Sequence, residues 1–77
     1  MTPLVNVGEL VHLAESDYRF GRGRLTLRVT RPPLPTPEPE WVEVHGVEVA
    51  WNGREVGARV MQVRVAALRY PNVHGRS

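Results

Sequence analysis

The chain has no cysteine, so neither a disulfide nor a thiolate-held metal can staple it. It has no lysine either: its ten basic residues are all arginine, at 19, 22, 24, 28, 31, 54, 59, 64, 69 and 76. Together with many Gly, Pro, Ala and Val, this is the usage that GC-rich coding DNA produces, so arginine content alone is poor evidence for nucleic acid. Aromatic residues are few, two Trp, two Tyr and one Phe. No stretch approaches the ~20 apolar residues of a membrane span. The segment from Met1 to Ala14 is broken by Glu9 and His12 and has no basic residue ahead of it, which argues against a secretory signal. A cytoplasmic protein with no membrane partner is expected. A chain of 77 residues buries only roughly 60–65% of its unfolded surface, so its core is small. Oligomerisation is the remaining route to extra stability.

What the sequence does contain is β-type alternation. Val5, Val7, Val11 and Leu13 share one parity and predict a strand over 4–13. Residues 14–23, AESDYRFGRG, predict a loop. From Arg24 to Thr30 the alternation is faultless, with Leu25, Leu27 and Val29 on one face and Arg24, Thr26, Arg28 and Thr30 on the other. Residues 31–40 carry Pro at 32, 33, 35, 37 and 39, which cannot donate to a ladder and favour an exposed extended connection.

Trp41–Trp51 and Arg54–Leu68 read as two long strands joined by Asn52-Gly53, the pair preferred in a two-residue type I′ turn. That turn sets Trp51 opposite Arg54, Val49 opposite Val56, Val47 opposite Ala58, Val44 opposite Met61 and Val42 opposite Val63. The apolar residues change parity near Gly46 on one strand and Val60 on the other. Either the hairpin bends at Gly46, or its second apolar face serves another chain. Val65–Leu68 predicts a short 3₁₀ turn at most, and Tyr70–Ser77 a frayed tail. The expected core is Val5, Val7, Val11, Leu13, Leu25, Leu27, Val29, Val42, Val44, Val47, Val49, Trp51, Val56, Met61, Val63 and Val65.

These elements describe an all-β domain over 1–70, with a Pro-rich insert at 31–40 and a flexible tail at 71–77. The expected fold is a small five-stranded SH3-like barrel, or a strongly bent antiparallel sheet with a long 41–68 hairpin. VGELVHLAESDYRFGRGRL, from Val7 to Leu25, resembles the opening of KOW-type and related SH3-like modules through Gly8, Glu9, Val11, Leu13, Gly23 and Leu25. It departs from that pattern near Ser16, where a Gly would be expected, and at Phe20-Gly21. The resemblance implies an association with RNA and the transcription machinery. MQVRVAAL, from Met61 to Leu68, resembles the closing strand of type II plasmid dihydrofolate reductases, small chains that build a tetrameric active pore. It implies that Gln62 and Val63 contact cofactor and substrate, although one residue is missing before Val65 and Arg64 stands where that family has Tyr.

Two surfaces are candidates for binding. Tyr18, Arg19, Phe20, Arg22 and Arg24, followed by Arg28 and Arg31, interleave rings with guanidinium groups, and such a surface suits RNA or DNA. The competing structural reading folds Tyr18 and Phe20 over the barrel end and pairs the arginines with carboxylates in 38–55. Charge is segregated accordingly: five arginines lie within 19–31, five glutamates and one arginine within 32–55, and four arginines beyond. In the hairpin register Glu43 lies diagonal to Arg64, which offers one such pair. For a protein partner the candidates are the P-x-x-P stretch from Pro32 to Pro35, Trp41 at the edge of the insert, and Met61 and Val63 on the hairpin.

His12, His45 and His74 have no metal-ligand spacing. His12, Ser16 and Asp17 lack a nucleophile elbow and an oxyanion loop. No catalytic, cofactor or metal residue is therefore assigned. The expected function is a non-enzymatic binding and assembly module that self-associates as a symmetric dimer through the apolar face or edge of the long hairpin, with RNA or DNA binding as the alternative and an oligomeric reductase a distant third.

Overall fold

The computed structural model describes residues 5–68 and the strand 73–74, and among them the protein is a six-stranded antiparallel sheet with one turn of α-helix. The elements are β1 (Leu10–Leu13), a 3₁₀ turn (Glu15–Asp17), β2 (Leu25–Val29), β3 (Leu34–Pro35), β4 (Trp41–Val49), β5 (Glu55–Arg64), α1 (Val65–Leu68) and β6 (Val73–His74). β4 is the spine: β5 runs along one edge, while β2 at residues 46–49 and β3 at 42–43 share the other. β2 continues to β1, and β1 to β6. No helix among the described residues is long and apolar enough to cross a membrane.

The sheet is not a closed barrel. What approaches closure is the segment after β1, where Tyr18 bridges Val63 and the Arg19 N–H donates to the Gln62 carbonyl at 3.0 Å. These contacts cap only the last residues of β5. The insert is not free of pairing either. Leu34 and Pro35 lie opposite Glu43 and Val42, so the proline-rich segment returns to the edge that β2 leaves after Gly46. Thr36 then holds its end, its hydroxyl accepting the Glu38 N–H and lying within donor reach of the Glu38 and Trp41 carbonyls.

The alternating parities predict the core face well. Val11 and Leu13, Leu27 and Val29, Val44, and Met61 and Val63 are buried, and Leu25 and Val42 pack against them. Val5, Tyr18, Ala67 and Leu68 cover this face from outside the sheet. Three expected core residues are exposed instead: Val7, Val56 and Trp51. The first strand begins only at Leu10, because Gly8 takes φ +93° and its N–H donates to the Val29 carbonyl, a turn that leaves Val7 outside.

Trp51 and Val56 are displaced by the hairpin loop. A type I′ turn needs φ > 0 at both central residues, but only Gly53 has it, at +83°. The loop is therefore Trp51-Asn52-Gly53, closed by Gly53 N–H to Ala50 O at 2.9 Å and Ala50 N–H to Arg54 O at 2.8 Å. Asn52 accepts the Arg54 N–H instead of adopting the left-handed region. Trp51 becomes the loop apex, and Val49 faces Glu55 rather than Val56. A bulge at Val56 absorbs the slip, so Glu48 faces Gly57 and the expected pairs hold from Val47–Ala58 to Val42–Val63. The hairpin stops at Arg64, and Val65–Leu68 forms an α-helical turn that delivers Ala67 and Leu68 to the core.

Gly46 does not interrupt the hairpin. The ladder runs through it without interruption, and its φ lies outside the left-handed region. A Cβ there would sit 2.5 Å from the Arg28 carbonyl and 2.6 Å from Leu27 Cγ, so Gly46 leaves the room that Leu27 fills. The change of apolar parity thus separates two faces of one sheet. Val42, Val44, Met61 and Val63 join the core, while Val47, Ala58 and Val60 lie on the outer face, with Val60 62% exposed. Of the expected tail, Val73–His74 pairs with β1, and the rest lies outside the described residues.

Candidate interaction surfaces

The arginine and aromatic segment divides into structural and free groups. Tyr18 is buried, and its hydroxyl donates to the Gly23 carbonyl at 2.8 Å and accepts the Arg22 N–H at 3.1 Å. It pins the loop and presents no ring for stacking. Arg19 pairs with Glu38 at 2.6 Å and Arg28 with Glu55 at 2.8 Å, so part of the charge is spent inside the molecule on carboxylates of 38–55. Phe20 goes the other way. It is 97% exposed, at φ +59°, and does not fold over the sheet. Arg22, Arg24 and Arg31 form no ion pair among the described residues.

A cavity of about 290 Å³ gathers Phe20, Arg22 and Arg24 with Arg59, which is tied to Glu48 at 2.6 Å. An adjoining cleft of about 600 Å³ is lined by Arg24 and Glu48 again and by Trp51, which is also 97% exposed. Arg24 therefore lines both hollows, one with Phe20 and the other with Trp51, a ring expected in the core.

The residues expected to meet a protein partner are mostly engaged. Met61 and Val63 are buried on the core face, Met61 still lining a surface cleft beside Phe20 and Val60. Val63, which the reductase resemblance would set against substrate, is fully buried in the chain. Trp41 is half-buried, with the Arg19 guanidinium 4.2 Å and that of Arg64 4.8 Å from its ring. Arg64 also donates to the Ser16 carbonyl, and Glu43 bonds His45 at 2.6 Å, so the expected Glu43–Arg64 pair is not formed. Pro35 lies in the short β3 ladder, and both Pro35 and Pro32 are exposed. His12 bonds Thr26, and the Asp17 carboxylate takes the Ala14 N–H, so these two do not form a triad.

Of the apolar face and edge of the long hairpin, expected to carry self-association, the edge along β5 is open. Residues 51–60 are exposed throughout, and among the described residues no strand pairs with the outer side of β5 beyond the Tyr18 bridge. The Gln62 carbonyl points outward to Arg19. Backbone groups alternate along a strand, so the N–H and C=O of Val60 and Ala58 point outward too. Beside them, on the outer face, lie Val47, Ala58 and Val60. Compared with protein-family models, curated proteins and solved structures, the chain matches none of them.

Proposed function

We propose that this protein is a small, non-enzymatic assembly module that takes up an extended strand along the free edge of β5. The observation that carries this is the outward N–H and C=O pairs of Ala58 and Val60, bordered by exposed Val60 and half-buried Val47. Added strands gain affinity from such main-chain groups and specificity from the flanking side chains. Its small antiparallel sheet is compatible with an SH3-like fold. Val60→Pro tests the proposal, because it removes an outward N–H that the chain's own ladder does not use. Nuclease-treated material from the native host should contain partners that wild type retains and Val60→Pro loses. Identical partners with both proteins would overturn the reading.

Phe20 and Trp51 favour a second reading, in which single-stranded nucleic acid stacks on these rings while Arg22 and Arg24 meet its phosphates. Binding of a mixed-sequence oligonucleotide at low salt, weakened by Phe20→Ala and Trp51→Ala, supports it. No retention at low salt removes it.

A further inference from the structure

The strand that the β5 edge receives is itself open to identification, on the assembly reading above. The free edge is short and bounded at both ends. On one side the bulge at Val56 breaks the ladder; on the other, the Arg19 N–H already occupies the Gln62 carbonyl. Between them only Ala58 and Val60 point their backbone groups outward, giving two donors and two acceptors.

That set is self-complementary. In an antiparallel ladder two residues exchange both hydrogen bonds when the groups of each face the other. A two-fold axis at Arg59 sets Ala58 of one copy against Val60 of the other, and Val60 against Ala58. All four outward groups of each chain are then used, in four intermolecular hydrogen bonds. An axis at Ala58 makes only the Ala58 pair and sets Val60 against the bulged Val56, where the ladder is irregular.

The side chains agree with the axis at Arg59. On the outer face, Val47, Ala58 and Val60 continue into the same residues of the second copy, with small Ala58 beside large Val60. On the other face the two Arg59 residues meet, but each guanidinium is held 2.6 Å from Glu48 on β4, away from the edge. Antiparallel pairing also brings Val56 to the end where Phe20 projects, covering two exposed apolar side chains. It sets Glu55 against the basic segment that carries Arg19 and Arg22. A chain without cysteine and with a small core gains added stability by this route.

We infer that the occupant of the β5 edge is a second copy of this chain, paired antiparallel about a two-fold axis at Arg59.

Two measurements test this on the full chain. Sedimentation across a concentration series should show a species of twice the 8.7 kDa chain mass. Val60→Pro, and separately Val60→Lys, should weaken it at least about tenfold, since each copy loses an edge bond or gains a charge there. Because the protein has no other thiol, Arg59→Cys should cross-link to itself on mild oxidation, its Cβ atoms being directly opposed. Ala58→Cys, displaced along the strand from its own copy, should not. A dimer that survives both Val60 variants and does not cross-link through position 59 overturns the inference. A monomer at every concentration also overturns it. The assembly reading falls with it only if host partners are insensitive to Val60→Pro as well.

Discussion

Replacing Gly46 with alanine would separate two roles for this residue, a hinge or a vacancy. The ideal Cβ falls 2.5 Å from the Arg28 carbonyl and 2.6 Å from Leu27 Cγ. Neither can yield easily: Arg28 lies in the β2–β4 ladder opposite Val47, and Leu27 is fully buried. Overpacking of this kind costs about 2–3 kcal/mol. A chain of this size has a total stability of about 4–12 kcal/mol, so the loss is a large share. The melting temperature should fall by about 10–20 °C, followed by circular dichroism at fixed concentration. Gly57 is the control, since a Cβ there meets nothing within 4 Å; Gly57→Ala should melt close to wild type. In the double variant Leu27→Ala/Gly46→Ala the two losses should sum to less than their separate effects, by at least about 1 kcal/mol. A Gly46→Ala protein melting within about 3 °C of wild type would refute the argument and restore the hinge.

Gly53→Ala forces a side chain into the left-handed region and should cost about 1–2 kcal/mol, read by urea unfolding; Asn52→Ala, with ordinary φ, should cost less. Tyr18→Phe removes the hydroxyl that bonds both Gly23 and Arg22, so a loss of about 1–2 kcal/mol is expected, with faster amide exchange over 19–23. If the nucleic-acid reading holds, Arg22→Ala and Arg24→Ala should each lower the salt slope of oligonucleotide binding by about 0.7. Arg28→Ala should leave it nearly unchanged, because Glu55 already neutralises that charge; an equal effect at Arg28 would contradict the division between paired and free arginines.

Alternation alone determined most of this fold. Leu25, Leu27 and Val29 face the core because a strand turns successive side chains to opposite sides, and the Val42–Val63 and Val44–Met61 pairs follow from the same period carried back from the hairpin. What alternation could not decide was where a one-residue slip occurs. Asn-Gly fits both a two-residue turn and a three-residue loop with Gly at its last position. The tertiary structure chose the second, placed Trp51 in solvent and moved the correction to a bulge at Val56. The split of Tyr18 from Phe20, and of Arg19 and Arg28 from Arg22 and Arg24, likewise depended on residues distant in sequence. Val63 opposite Tyr18, Glu38 beside Arg19 and Glu55 beside Arg28 are the partners, and only folding brings them together. Whether the face or the edge of the hairpin stays open was equally undecided, because whether a strand has one neighbour or two is a property of the sheet and not of the strand.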